Sequence, residues 1–363
     1  MKYLIEKNTA VPAYLQLYRQ VRDDIVKEIY PYDGKLPSKR LIADETGLST
    51  VTVEHAYALL CDEGYVEARE RRGYFVIFCS EDGFALSSQK ETAGCLPVGC
   101  PADDAPKFPF SVLTKAMRRV MNDFGEAILD RSPGAGCLAL REAIRQYLAR
   151  SRGVTADISQ IVIGSGAETL YSLIVDLIGR GQVYAIESPS YQKIEQVYRA
   201  CEVRYEKLPL GGDGIESAAL WASGAGVLHI TPYRSFPSGV TASASKRHEY
   251  LHWAAQNGRY IVEDDYESEF SVSRRPEETL FSYSSGSNVI YMNTFSQTVS
   301  PSLRAGYMVL PPPLVPVFER KLGFYSCTVP TYIQLVLSEL IAGGDFERHI
   351  NRVRRKKRKG LLP

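Results

Sequence analysis

The sequence predicts an α/β protein in two parts: a small helical unit ending in a β-hairpin, then a larger domain built on a mostly parallel sheet. Three features carry this expectation. Apolar residues recur at helical spacing up to about residue 64, a Ser-, Gly-, Pro- and acid-rich break occupies 80–107, and short apolar runs alternate with helix-length segments beyond residue 110. At 363 residues the chain exceeds one ordinary core, which supports the division. Its 45% hydrophobic and 23% charged content is that of a globular protein, and a formal net charge of +1 makes any nucleic-acid binding local. No apolar run approaches the roughly 18 residues that span a bilayer. The N-terminal MKYLIEKNTA lacks a signal-peptide core, so the chain is expected to be cytoplasmic, with no membrane partner. The 7 cysteines, Cys61, Cys79, Cys95, Cys100, Cys137, Cys201 and Cys327, form no CxxC pair; reduced thiols and no metal site are expected.

The elements follow in order. From Tyr14, the residues Leu17, Tyr18, Val21, Ile25 and Ile29 mark one amphipathic helix, closed by Pro31 and the Asp33-Gly34 turn. Ser38 is a natural N-cap for a short helix reaching about Thr46, Gly47 supplies a tight turn, and Ser49 caps a third helix ending at Gly64. On that third helix Val51, Val53, Ala56, Leu59 and Leu60 can face a core. Two short helices across a glycine turn fit helix-turn-helix geometry. Tyr65-Val66-Glu67 and the run Tyr74 to Phe78 then read as strands around a turn that projects Arg69, Arg71 and Arg72, a wing. Small polar residues at the head of the third helix, Ser49, Thr50 and Thr52, suit approach to base edges and phosphates. Lys39, Arg40, Arg71, Arg72 and Gly73 complete the candidate DNA-binding set. A small helical domain with a solvated basic face reads equally well from spacing alone.

The segments PAYLQLYRQVRDDIV and LPSKRLIADETGLSTVTVEHAYALLCDEGYVEARERRGYFV resemble the winged helix-turn-helix of GntR-family regulators over nearly their whole length. The resemblance implies binding to double-stranded operator DNA. Thr50 departs from the arginine that family often carries beside the cap serine, which bears on operator preference.

The break at 80–107 reads as a linker plus entry loop, giving a DNA-binding domain at 1–79 and a second domain at 108–363, onto which Phe108-Pro109-Phe110 docks. In that domain the strands are Ile161 to Ile163, Val183 to Ile186, Val227 to Ile230, Tyr260 to Val262 and Val289 to Met292. Helix-length spacers make the sheet largely parallel and covered on both faces, and ligands of such sheets sit beyond the carboxyl ends of strands. After the first strand, Gly164-Ser165-Gly166-Ala167 opens a helix whose free N–H groups suit a phosphate. After Val262, the cluster Glu263-Asp264-Asp265-Tyr266 reads as a metal site, a solvated turn, or a partner for a heterocyclic nitrogen. After Met292, in NTFSQTVSPSLRAGY, Ser296 and Arg304 can face an anion.

Taken in this order, GCLALREAIRQYLARSRGV, SGAETLYSL, ESPSY, TPYRSFPSG, VEDDYESEF and TFSQTVSPSLRAGYMVLP resemble blocks of fold-type-I aminotransferases, specifically the effector domain of GntR regulators of the MocR/GabR type, over roughly 95–355. The resemblance implies a PLP-dependent-transferase-like domain and pyridoxal 5'-phosphate as cofactor. It assigns Asp264 to the pyridine nitrogen and Tyr266 to the ring hydroxyl. Arg304, Ser296 and the turn Ser165, Gly166, Ala167 go to the phosphate, with Tyr191 of the ESPSY block in the same cofactor site. Gln297 stands where the family block carries its Schiff-base lysine. A neutral, resonance-stabilised amide neither condenses with an aldehyde nor shuttles protons, so no catalytic residue is assigned and transamination is expected to be absent. Arg234 replaces a histidine usual in its block. After HINRVRRKKRKGLLP the chain stops, where the fold normally continues into a small subdomain; this is expected to be missing. The basic run from Arg352 to Lys359 reads as a solvated helix.

The function expected is a transcriptional regulator whose aminotransferase-like domain dimerises the protein and senses a pyridoxal-type or amino-acid-like effector without catalysis. A pyridoxal-phosphate enzyme with an accessory DNA-binding arm is the alternative, and a purely scaffolding large domain the third reading. Symmetric dimers are expected because such regulators read paired half-sites.

Overall fold

The computed structural model describes residues 3–6, 11–70, 72–78, 106–266, 268–271, 278–284 and 288–360. It contains two compact units, Met1–Val98 and Gly99–Pro363. The expected linker lies outside the described residues except for Pro106 and Lys107, as do Arg71, Cys79, Cys95 and Cys100.

In the first unit, α1 (Ala13–Val26), α2 (Lys39–Thr46) and α3 (Thr50–Asp62) precede the hairpin β1 (Val66–Arg69) and β2 (Gly73–Val76). Both serine caps form: Ser38 Oγ accepts from the Leu41 N–H at 3.2 Å and Ser49 Oγ from the Thr52 N–H at 3.1 Å. Gly47, at φ 70°, makes the left-handed turn between α2 and α3 that a side chain would strain. Leu17, Tyr18, Val21 and Ile25 of α1 pack with Ile42, Val53, Ala56, Tyr57, Leu60, Val66 and Val76 into one core. Three expectations are corrected. α1 stops at Val26, because Glu28 turns left-handed at φ 59°, and Ile29 is left exposed. Val51 is 70% exposed at the head of α3, one step off the face that buries Val53, Ala56 and Tyr57. The first strand runs on to Arg69, paired with Gly73, so Arg69 lies within the ladder instead of at the tip.

The second unit opens with α4 (Phe110–Phe124) and α5 (Leu138–Arg152). It continues as β3 (Ile161–Gly164), α6 (Ala167–Ile178), β4 (Val183–Ser188), α7 (Gln192–Ala200), β5 (Arg204–Gly211), β6 (Gly214–Ile215), α8 (Ser217–Ala222), β7 (Val227–Ile230), α9 (Ala244–Gln256) and β8 (Tyr260–Asp264). Then come α10 (Leu280–Tyr283), β9 (Val289–Thr294), β10 (Gly306–Val309), α11 (Val315–Leu322), α12 (Thr331–Ala342) and α13 (Asp345–Arg358). The strands form one sheet in the order β3-β10-β9-β8-β7-β4-β5-β6. Neighbours from β9 through β8, β7 and β4 to β5 are parallel, while β10 runs antiparallel to both β3 and β9. Alternate strand residues face two separate cores, Ile161, Leu228 and Tyr291 in one and Val162, Val262 and Met292 in the other, so both faces are covered as expected.

All the strands expected from apolar runs are present. Those not foreseen are β5, whose RYEKLPLG carries charge along a partly exposed strand, β6, which is too short to give a pattern, and β10. Of the docking pair, Phe108 is buried against His349 with ring centroids 4.9 Å apart, but Phe110 is 79% exposed at the head of α4. No helix among the described residues is long and apolar enough to cross a membrane.

Candidate functional site

Register lines up the sheet's carboxyl edge. Gly164, last residue of β3, pairs with Gly306 at the start of β10, which pairs in turn with Thr294, last residue of β9. Met292, two residues back on β9, pairs with Asp264, last residue of β8. The turns that follow β3, β8 and β9 therefore leave the sheet side by side, carrying Ser165 and Gly166, Tyr266, and Ser296 and Gln297.

Strand alternation divides the carboxylate cluster. Glu263 and Asp265 point to one face, where Glu263 accepts the Leu280 and Phe281 N–H groups at 2.9 and 3.0 Å. Asp265 meets the buried Arg152 guanidinium at 2.9 Å and the Tyr291 hydroxyl at 2.5 Å. Asp264 points the other way, into a polar group of its own. Tyr171 donates to its Oδ2 at 2.5 Å, and His229 Nε2 lies 3.8 Å from the same atom. The Tyr198 hydroxyl, held protonated far above its usual range by burial, shares a hydrogen bond of 2.6 Å with His229 Nδ1, on the side of the ring away from Asp264. His229 Nε2 is buried with no hydrogen-bond partner among the described residues. The metal reading of the cluster gains no support, since no group of metal-ligating side chains occurs among the described residues. Nearby on β4, burial pushes the Glu187 carboxyl up to about 7 although Ser235 Oγ donates to it at 2.6 Å.

At the head of α6, Gly166 is the N-cap at φ 91° and no side chain caps the helix. A Cβ there would lie 2.9 Å from Arg304 Nη2, so the guanidinium rests directly on this glycine. Arg304 donates to the Ser165 carbonyl at 3.3 Å and to Glu168 Oε2 at 2.8 Å, while Lys193 Nζ donates to the other Glu168 oxygen at 2.6 Å. Partial burial would raise the Glu168 carboxyl; the two cations overcome it and hold it at about 2. Thr328 donates to the Ser165 hydroxyl at 2.9 Å. Gln297 Nε2 donates to the Tyr266 hydroxyl at 3.2 Å. Ser296 is half-buried in the turn after β9, and Tyr191 is 37% exposed just before α7 with its ring 6.1 Å from Phe236. Arg234 is exposed in the loop after β7. The structure thus joins Ser165, Gly166 and Arg304 in one group, Tyr266 and Gln297 in another, and gives Asp264 the partners Tyr171 and His229. Sequence reasoning missed those two and Glu168 with Lys193. Tyr171 sits one helical turn beyond the SGAET turn, a spacing that could have signalled it.

In the first unit Arg40, Ser49, Thr50 and Arg72 are exposed and Thr52 half-exposed. Lys39 is tied by its ammonium to Glu54 at 2.7 Å. Arg69 does not project: it is held by Glu67 and by Asp33 at 2.7 Å, and its guanidinium lies 4.4 Å over the Phe75 ring. Gly73, at φ 107°, turns the hairpin beside Lys35.

Residues 13–76 match the family described as bacterial regulatory proteins, gntR family, and residues 96–359 match aminotransferase class I and II. The HTH-type transcriptional regulator YdeL of Bacillus subtilis (strain 168) is 31% identical over 98% of this chain and 79% of its own length. The chain belongs to the GntR-type regulators that carry an aminotransferase domain. The regulator is also 27% identical to MocR of Rhizobium meliloti, named for rhizopine catabolism, over 97% of the chain and 76% of the relative. PdxR of Corynebacterium glutamicum, named for pyridoxine biosynthesis, is 26% identical over 96% and 76%. Among solved structures, kynurenine aminotransferase of Pyrococcus horikoshii aligns with TM-score 0.63 at 25% identity, covering 70% of the regulator and 66% of that chain. LysN, the α-aminoadipate aminotransferase of Thermus thermophilus, aligns with TM-score 0.62 at 26% identity, covering 71% and 67%. The regulator spans about two thirds of the length of these enzymes. It is a GntR-type DNA-binding regulator with an aminotransferase-like domain, a fold that implies binding of pyridoxal phosphate.

Proposed function

We propose that the aminotransferase-like domain, 108–363, is a non-catalytic sensor that holds pyridoxal phosphate without a covalent bond, and that 1–79 reads operator DNA as one half of a homodimer joined through the 80–107 linker. The observation that carries the reading is Gln297, on the turn after β9, whose amide donates to Tyr266 on the turn after β8. An amide there offers a hydrogen bond but no nucleophilic amine and no proton carrier.

The surrounding residues fit the cofactor. His229 Nε2, beside Asp264, is a buried polar atom with no hydrogen-bond partner among the described residues, and the missing Cβ of Gly166 lets Arg304 settle on the head of α6. Asp264 would hold the ring nitrogen and Tyr266 the ring hydroxyl, with Tyr191 beside them. Ser165, Gly166, Ala167, Ser296 and Arg304 would hold the phosphate. When bound, pyridoxal phosphate supplies an electron sink for an amino-acid carbanion. In this chain Tyr171 fixes the Asp264 carboxylate with His229 Nε2 3.8 Å from it, and Arg304 with the head of α6 supplies positive potential. An amino-acid-like effector is the natural second ligand of such a site.

Dimerisation is supported by exposed apolar side chains: Phe110, Leu129 and Phe324 are 79%, 82% and 75% exposed. The segments bearing the last two are neighbours, since a Cβ on Gly134 would lie 2.6 Å from the Tyr325 carbonyl oxygen. For DNA, Ser49, Thr50, Val51 and Thr52 at the head of α3 would face base edges and phosphates, with Lys39, Arg40, Arg71, Arg72 and Gly73 on the backbone.

The test combines two measurements on the full chain. Purified protein is expected to bind DNA from upstream of its own coding sequence with steep salt dependence, and Arg72→Ala to lower the salt slope by about one. With pyridoxal phosphate and borohydride, wild type should gain no mass while Gln297→Lys gains one reduced cofactor. An enzyme with a DNA-binding arm, the reading favoured by the retained Asp264 and Arg304, requires instead that wild type convert an amino acid to its keto acid.

A further inference from the structure

We infer that Glu168 sets the affinity of this site for phosphate: its carboxylate is an internal anion that competes with a bound ligand's phosphate for Arg304 and Lys193. The inference rests on the pyridoxal-phosphate reading above and adds to it a specificity-determining residue. Glu168 lies in the first turn of α6, whose free N–H groups and Arg304 are the positive elements a phosphate would use. One of its oxygens takes Arg304 at 2.8 Å and the other takes Lys193 at 2.6 Å, so both cations are engaged by a group of the protein. A dianionic phosphate arriving on Arg304 therefore has to displace this carboxylate and remain beside it, and like charges at such separation repel.

The exposure of the pair decides how strong the effect is. The Arg304 side chain is 52% exposed and that of Glu168 29%. A solvent-screened pair of this kind is worth at most about 1 kcal/mol, so Glu168 lowers phosphate affinity by about fivefold and does not close the site. The Arg304 guanidinium is held in place from below by Gly166 and the Ser165 carbonyl, so it stays in the site when the carboxylate is removed. With Gln297 in place of a lysine no covalent bond offsets this weakening. Occupancy then follows the free ligand concentration, which is what a sensor needs and a tethered cofactor does not provide.

Calorimetric titration of the full chain, as wild type, Glu168→Gln and Glu168→Ala, with pyridoxal phosphate and with unphosphorylated pyridoxal, tests this. Both variants should bind pyridoxal phosphate about fivefold more tightly than wild type, with pyridoxal affinity unchanged within about twofold. Equal pyridoxal phosphate affinities in wild type and both variants overturn the role of Glu168 and leave the cofactor reading standing. Tightening for pyridoxal and its phosphate alike overturns it too, because the effect is then not on the phosphate. Absence of binding in all of these and in Gln297→Lys overturns the cofactor reading, and this inference with it.

Discussion

Raising the pH from 5 to 8 should destabilise the aminotransferase-like unit, and Glu187→Gln should remove a defined share of that loss. Glu187 is buried at the carboxyl end of β4, with Ser235 Oγ at 2.6 Å and the Thr231 N–H at 3.3 Å on one of its oxygens. Burial outweighs these donors and raises the carboxyl from 4.5 to about 7. The folded chain therefore holds a proton between those values that the unfolded chain has released, so stability falls as pH rises through this window. At about 1.4 kcal/mol per pH unit the full loss is about 3 kcal/mol, complete a little above pH 7. Glu263, raised to about 8 by burial and by Asp265, adds a loss of the same sign, so the wild-type slope alone does not isolate Glu187. The difference between wild type and variant does. Trp221 and Trp253 are the chain's 2 tryptophans and both lie in this unit, so urea titrations followed by tryptophan fluorescence report on it selectively. Glu187→Gln should gain about 3 kcal/mol on wild type between pH 5 and 8. Parallel pH profiles for the two proteins would refute the argument, whatever the variant's absolute stability.

Two other substitutions test positions that the local geometry makes specific. Ser49→Ala removes the acceptor for the Thr52 N–H and should cost about 1 kcal/mol in thermal unfolding of the winged unit, together with weaker DNA binding, because the same hydroxyl heads α3. Gly166→Ala places a Cβ 2.9 Å from Arg304 Nη2 at φ 91° and should weaken pyridoxal phosphate binding more than pyridoxal binding. Calorimetry with the two ligands measures the contrast, and an equal loss for both would point to general distortion.

The division into a winged unit and an α/β unit was legible because each rests on local signals: serine caps before helical spacing in the first, and apolar runs at helix-length intervals in the second. What escaped was set by non-local pairing. β10 lies between β3 and β9, and its residues Gly306 to Val309 bury both faces without a flanking signal of their own. Arg69 reads in sequence as one arginine of a basic turn; only the register with Gly73 and the approach of Asp33 show it tied down. Val51 misled for the opposite reason. An apolar residue at helical spacing reads as core, but the first turn of α3 reaches beyond the packing partner that buries Val53.

The candidate site repeats this lesson in its chemistry. Four adjacent polar residues, Glu263 to Tyr266, left metal, solvent and heterocycle readings open in sequence, and a single property of the strand separates them. Alternation sends Glu263 and Asp265 to the face where backbone N–H groups and Arg152 satisfy them, and leaves Asp264 to the face shared with Tyr171 and His229. Backbone hydrogen bonds to Glu263 and the Arg152 pair of Asp265 thus hold the strand end that presents Asp264. No comparable rule reveals Glu168. An acid in the first turn of a helix is the ordinary choice for the helix dipole, and its meaning changes only because Arg304, 136 residues away, comes to rest on Gly166 beside it. A carboxylate that stabilises α6 on its own then becomes a competitor for whatever anion that helix and Arg304 would otherwise hold.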